Sequence, residues 1–455
     1  MANKTLLTAG LKYLAIQQMY YSPVALASGN RISSIYCFLS KVDPWSGGTP
    51  PDPTQDVSAL KRIMRNIFVV KNIKSSEISP VIKRINWEDN TVYDYYSDTI
   101  DLFATTPLVY NFYVKNKYDQ VFKCLWNNNG STSIDEPYFQ PGSYDTNNIF
   151  TGSDGYKWKY IYTVDLAAKY NFMDSEWLPV PVKINPLNPI SDSNISSGYG
   201  SIDVINVLDG GSGYNQSTAP ITLKITGDGT GATATAVTSG GAITNIIMNS
   251  KGSNYTYANI SITTTSGSGA ILEVPISPIG GHGADPMSEL GCSHIMITST
   301  FNGSEQDSSG VNMIPTDIDY HQLGILINPT ALSSSPNIAQ KNIYKTTTDL
   351  VLAGGFGNYT LDEIVYQGSA DNPTFSGTVL SFDTSTNILK ILNTTGTLTT
   401  SSLVVGQSSG TSRTLMSYST PDFISLSGYV AYIENRDSIQ RSSDGIEQFK
   451  IVLGY

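Results

Sequence analysis

The residues best suited to acid–base or metal chemistry are few and scattered. There are 3 histidines, His282, His294 and His321. None shows the i, i+4 spacing of a zinc-binding helix, and no Cys-x-x-Cys pair is present to add thiolates. Gly281-His282-Gly283-Ala284-Asp285-Pro286 offers an imidazole and a carboxylate for a metal, but its Gly and Pro content reads first as a turn. His321 enters the apolar run Leu323 to Ile327 and reads as a hydrogen-bonded strand-end residue. Gly227-Asp228-Gly229-Thr230-Gly231 has the glycines of a phosphate loop. It lacks the Lys-Ser/Thr pair that reaches phosphate and metal, and no helix follows, so it reads as a turn. Acidic residues do not recur at alternate positions as in a calcium loop. Glu88-Asp89 and Asp135-Glu136 lie in turn-like contexts, and nothing aligns two carboxylates across a sugar. The expectation is a non-enzymatic chain with no catalytic residue, no cofactor and no metal site.

Composition points the same way. Charged residues are 14% of the chain against ~25% in ordinary globular proteins, and hydrophobic residues are 40%, enough for real cores. Gly, Ser, Thr, Asn and Tyr fill the gap, a mixture that favours strands and tight turns over long helices. The net charge of -11 argues against a broad basic face, so no nucleic-acid partner is expected. The one basic stretch, Lys61-Arg62, Arg65, Lys71, Lys74 and Lys83-Arg84, reads mostly as the solvated face of a helix and its exit. Cys37, Cys124 and Cys292 are far apart, odd in number and set in apolar runs, as free buried thiols in a reducing cytosol would be. No secretory leader is recognisable at the N-terminus, and no run nears the ~18 apolar residues of a membrane span. The 28 tyrosines and 5 tryptophans suit sheets and protein interfaces, where an aromatic group buries area and keeps a polar handle.

The elements that must position these residues are mainly strands. Ile32 to Leu39, Val69-Val70, Pro80 to Ile85, Asp101 to Asn111, Gln120 to Trp126 and Tyr156 to Val164 read as strands between Asn/Gly/Ser/Pro turns. Asp56 is placed to cap a helix whose Val57, Leu60, Ile63, Met64 and Ile67 share one face. From about Gly198 charges nearly vanish and a repeat appears, with a spacing of about 40 residues. Each copy runs strand, Gly-Ser-x-Tyr turn, strand, Gly-rich turn, strand. Gly211 to Tyr214 and Gly252 to Tyr255 are the matching turns. Glu363 to Gly368, Ser376 to Asp383, Ile388 to Asn393, Leu403 to Gln407 and Arg413 to Tyr418 suggest a second small barrel or sandwich. Gly428 to Glu434 and Glu447 to Leu453 close the chain as strong strands, the last one deep in a sheet. The predicted fold is mainly β. It is a layered β-sandwich core with a few short helices, interrupted by two small inserted β-domains. Residues 1–197, 279–345 and 419–455 form the core, with insertions at 198–278 and 346–418.

Several blocks resemble the baseplate wedge subunit of T-even, contractile-tailed bacteriophages, the gene product eight family. They are Ser28-Gly29-Asn30 through Ile35-Tyr36-x-Phe38 to Asp43-Pro44-Trp45-Ser46, then Arg84-Ile85-Asn86-Trp87-Glu88-Asp89, then Phe122-Lys123-Cys124-Leu125. Gly152 to Tyr160, His321-Gln322-x-x-Ile325-x-Ile327-Asn328-Pro329, Ser427 to Arg436 and Ile446 to Tyr455 follow in the same order, with Trp177 to Pro181 a looser match. The resemblance does not cover about 198–278 or 346–418, which look like β-modules of other tail proteins. It implies a structural virion subunit of the tail baseplate, made in the host cytoplasm. It also implies a homodimer held among other baseplate wedge proteins, and brings no catalytic residue or cofactor. Its scaffold or interface candidates are Pro44 and Trp45 as a packed corner, Trp87, Trp158, and Glu434, Asn435 and Arg436 as a strand-end polar cluster. Two other readings remain open: a receptor-binding or fibre-like tail protein contacting host glycans, and a tail-associated cell-envelope hydrolase.

Overall fold

The computed structural model describes residues 8–22, 33–41, 45, 48–103, 110–140, 148–182, 198–215, 217, 219, 221–306, 314–332, 338–339, 341–442 and 445–455. The protein is mainly β, 47% strand against 10% helix. It divides into two compact units. One comprises Met1–Gln18, Ser79–Met296 and Val452–Tyr455, the other Met19–Ile78 and Ile297–Ile451. Each unit combines core segments with one insertion.

In the first unit, strands Tyr113–Lys115, Gln120–Trp126, Lys157–Thr163 and Ile149–Thr151 form an antiparallel sheet in that order. One face is aromatic. Phe122, Cys124, Tyr156, Trp158 and Tyr160 pack with Tyr93 and Val114, and Trp87 leans on the cluster. Trp158 is fully buried, stacked on Tyr156 at 5.5 Å and edge-on to Tyr93 at 5.4 Å. Removing a side chain of that size from water contributes ~1.5–3 kcal/mol, which makes it a natural centre for the core. The expected strand Asp101 to Asn111 is corrected: 101–103 and 110–111 carry no strand, and 104–109 lie outside the described residues.

The repeat folds by exchange. Asn206–Ser212 pairs with Ser268–Glu273, Thr222–Gly227 with Ala258–Thr263, and Thr230–Ser239 with Ala242–Ser253. Every one of these pairings joins a strand of one copy to a strand of the other. Tyr214 and Tyr255 hold equivalent places: their hydroxyls accept from Ala270 N and Ala232 N, each at 3.4 Å. Gly211 and Gly252 turn the chain before them with φ of +62° and +63°, where other residues are strained. The module closes its own core around Ile202, Ile205, Ile243, Ile246 and the two tyrosines.

In the second unit, five antiparallel strands run in the order Ile343–Tyr344, Ile67–Asn72, Ile35–Ser40, Ile318–Ile327, Tyr429–Arg441. Tyr36, Phe38, Val70 and Leu326 on one face meet Ile63 and Met64 of helix Val57–Arg65. Asp56 caps that helix, accepting from Ala59 N at 2.8 Å. The helix stops two residues short of the expected Ile67. The Asn66 N–H bonds back to the Arg62 and Ile63 carbonyls, and Ile67 opens the next strand. Lys71 of the basic stretch is buried, its ammonium 2.6 Å from Glu305, so this residue is not part of a solvated face. On the sheet's other face Tyr320 meets Phe449 and Phe68 at ring distances of 6.3 and 6.2 Å, and Phe449 meets Phe301 at 5.8 Å. Strand Ile446–Gly454 buries Phe449 and Ile451 yet lies at a sheet edge, not deep within it.

The second insertion is a closed barrel of Thr348–Leu352, Ile388–Gly396, Asn372–Asp383, Ile364–Ser369, Leu403–Gly406 and Ser412–Ser419. Thr348–Leu352 is the strand not expected from sequence, and it closes the ring by pairing on both sides. Leu350, Val365, Phe375, Val379, Leu389, Ile391, Val404 and Leu415 fill the interior.

Candidate functional site

Four of the scaffold candidates, Trp45, Glu434, Asn435 and Arg436, meet His321 at one place in the second unit, around a β-bulge. Gln322 pairs with Asn435 and Tyr320 with Ile439. Residues 436–438 therefore stand opposite His321 alone. A bulge leaves backbone groups without ladder partners and re-aims side chains. The Arg436 carbonyl is met by the indole of Trp45, whose Nε1 donates to it at 2.7 Å. The Trp45 ring stands edge-on to His321 at 5.9 Å.

The same bulge anchors more of the connecting chain. Asn435 donates from Nδ2 to the Pro51 carbonyl at 2.7 Å and accepts from Gln322 Nε2 at 2.6 Å. Arg436 Nε donates to Glu434 at 2.6 Å, and its guanidinium lies 5.6 Å from the Phe449 ring centre. Glu434 also accepts from the Tyr432 hydroxyl at 3.1 Å. Burial, and then the Glu434 charge, push that phenol up to about 12. Thus Glu434 and Arg436 pair with each other while Asn435 bonds to Gln322 and Pro51, and all three stand in mid-strand and not at a strand end, because the strand continues to Arg441. Pro44 lies outside the described residues.

His321 is corrected in two respects. It sits inside strand Ile318–Ile327, and neither ring nitrogen has a hydrogen-bond partner among the described residues. Its Nε2 is 3.5 Å from Asp319 Oδ2. Asp319 is bound instead by Lys41 at 2.7 Å, and Lys41 also reaches Asp362 of the barrel segment at 3.1 Å. Burial raises the Asp319 carboxyl, but the Lys41 bond outweighs it and holds the group below the usual carboxylate range. What this arrangement does is fasten: it ties Trp45, Pro51 and Asp362 to one sheet.

Trp87 and Trp158 come together in the first unit's aromatic cluster. Trp87 Nε1 donates to Ser133 at 3.0 Å, whereas Trp158 Nε1 has no partner among the described residues. That unit also holds a charge cluster not foreseen from sequence. Lys123 Nζ is 3.2 Å from Glu289, and His282 Nδ1 is 2.7 Å from the same carboxylate oxygen, all three buried. Gly281 to Ala284 does form the expected turn, closed by Ala284 N–H to the Gly281 carbonyl at 3.2 Å. Burial and Lys123 lower the His282 pKa. Burial raises the Glu289 carboxyl, but Lys123 and His282 prevail and hold it at about 2. The signal available in sequence was a lone lysine, Lys123, in one strongly apolar strand and two at alternate positions, Lys157 and Lys159, in the next, in a charge-poor chain. Cys37, Cys124 and Cys292 are free and buried.

Among the described residues, no group of three or more His, Cys, Asp and Glu is arranged to hold a metal ion. No helix of the described residues is long and apolar enough to cross a membrane. The sequence matches no model of a known protein family and no curated protein.

Proposed function

We propose that the chain is a structural subunit of a phage tail baseplate wedge, located in the virion, that dimerises and holds neighbouring wedge proteins at fixed angles. The observation that carries this reading is where the phage-like blocks gather. The block around Phe38, the block from His321 to Pro329 and the block around Tyr432 lie on three adjacent strands, with Phe38 opposite Gly324 and Tyr432 opposite Ile325. Asn328 accepts from the Ser34 N–H at 2.8 Å, tying the end of one block to the start of another. In the other unit, Trp87, Phe122, Cys124, Tyr156, Trp158 and Tyr160 share one cluster. The segments outside the resemblance have separate cores. This pattern supports an inherited scaffold lengthened at its loops, where added chain costs little entropy.

The mechanism is geometric. Bulge-anchored loops and closed β-modules present rigid surfaces, and exposed apolar groups such as Phe356, Ile279 and Tyr429 supply area for neighbours to cover. Light scattering on the purified chain tests the dimer, with twice the chain mass expected and a monomer at high concentration contradicting it. Labelling this chain in tailed particles and imaging them tests the location. Label in the wedge is expected. Label at a distal fibre tip together with glycan binding would favour the receptor-binding alternative.

A further inference from the structure

We propose that Lys157 anchors a binding site for a small oxyanion, a phosphate or a carboxylate group, in the cleft between the four-stranded sheet and the repeat module. The cleft measures about 170 Å³ and is lined by Ile149, Thr151, Lys157, Asp203, Asn245 and Met248, among others. That is room for an oxyanion and a few waters, at about 30 Å³ of liquid per water.

Strand alternation places Lys157 there. Trp158 and Tyr160 point into the aromatic core, so Lys157 and Lys159 take the opposite face. Lys123 lies directly opposite Lys159 in the ladder and shares that face. Three lysines on one side of a sheet would ordinarily face water. Here all three are buried.

Two nearby cations have carboxylates. Lys123 has Glu289 at 3.2 Å, and Lys251 has Asp203 at 2.7 Å. Asp203 is further committed to the Ser201 hydroxyl at 2.9 Å. Lys157 is only 8% exposed, and its ammonium has no hydrogen bond or ion pair with any described residue. A desolvated ammonium without a counter-charge is unfavourable, and an entering anion removes that penalty. Burial alone holds the amine down at about 8.

Further donors stand beside it. Thr151 is the direct ladder partner of Lys157 and brings a hydroxyl. Asn245 accepts from the Ile246 N–H through Oδ1 at 2.9 Å, which leaves its Nδ2 to donate. An ammonium, a hydroxyl and an amide N–H, walled by Ile149 and Met248, suit an oxyanion in chemistry and size.

The test uses the full chain and three sodium salts at matched ionic strength: phosphate, acetate and chloride. Melting temperature and calorimetric binding are read, with acetylation of Lys157 by acetic anhydride at pH 8 followed by peptide mass. Phosphate or acetate, but not chloride, is expected to raise the melting temperature and protect Lys157. A response to phosphate alone assigns a phosphate ligand, and a response to acetate assigns a carboxylate. Lys157→Met is expected to fold and to bind the effective anion at least about tenfold more weakly, the loss of one charge-assisted hydrogen bond. Lys157→Arg is expected to retain binding. Equal behaviour of all three salts on the wild-type chain overturns the site, whether or not the Met variant folds. So does an unchanged anion response in that variant.

Discussion

Replacing Trp45 with Phe isolates the indole N–H that closes the bulge. The ring remains able to lie against His321, while the 2.7 Å bond to the Arg436 carbonyl is lost. Asn435 pairs with Gln322, and residues 436–438 bulge away from the ladder, so no strand neighbour replaces that donor. Leaving a partly buried carbonyl unmet costs ~1–3 kcal/mol. Half-burial of Trp45 lets water reach part of the site and favours the lower half of that range. In a unit of this size each kcal/mol moves the melting temperature by about 2–4 °C. Urea unfolding of Trp45→Phe is expected to show a lower midpoint at unchanged slope. Trp87→Phe is the control, since the Ser133 hydroxyl that accepts its bond still donates to Asp154 at 3.2 Å. Equal midpoints for wild type and Trp45→Phe would refute the idea that the indole anchors the bulge.

Three further outcomes are expected. Gly324→Ala should destabilise by ~1–3 kcal/mol or more by overpacking, because a Cβ there would lie 2.2 Å from the Tyr432 carbonyl and 2.5 Å from the Phe38 ring; chemical denaturation measures it. Glu289→Gln should lose ~3–5 kcal/mol by stranding Lys123. Because the folded Glu289 pKa lies at about 2, below its ordinary 4.5, its stabilisation is complete above about 4.5 and disappears as pH falls toward 2. Melts from pH 6 to 3 should therefore be flatter in the Gln variant. Gly211→Ala and Gly252→Ala should each cost ~1–3 kcal/mol through positive φ, and by similar amounts since their places are equivalent; thermal melts compare them.

Much of the fold was legible because the signals were local. The Asp56 cap, the strand Gln120–Trp126 and the paired Gly-Ser-x-Tyr turns each rest on neighbouring residues. The barrel was legible except for Thr348–Leu352, a Thr-Asp start whose partners near Ile391 and Ser417 are distant in sequence. The helical spacing of Ile67 misled because periodicity does not register a terminus set by the Asn66 backbone. At the site, the blocks containing Trp45 and Arg436 stood out, but a bulge depends on register between strands, which no single strand encodes. The buried lysines escaped because Lys-Trp-Lys-Tyr reads as a half-wet strand. A second layer covers that face, supplied by residues such as Asp203 and Met248 beside Lys157 and by His282 and Glu289 beside Lys123.

The exchange within the repeat has a consequence for how this chain tolerates change. Neither copy can survive excision, since each would keep strands with no ladder of their own. Two separate halves, by contrast, would complete one another. Topologically the module is a two-fold partnership written onto a single polypeptide, and the hinge between its halves is Gly240-Gly241 alone. A nick at that dipeptide would leave every rung in place, whereas losing either half would dissolve the whole.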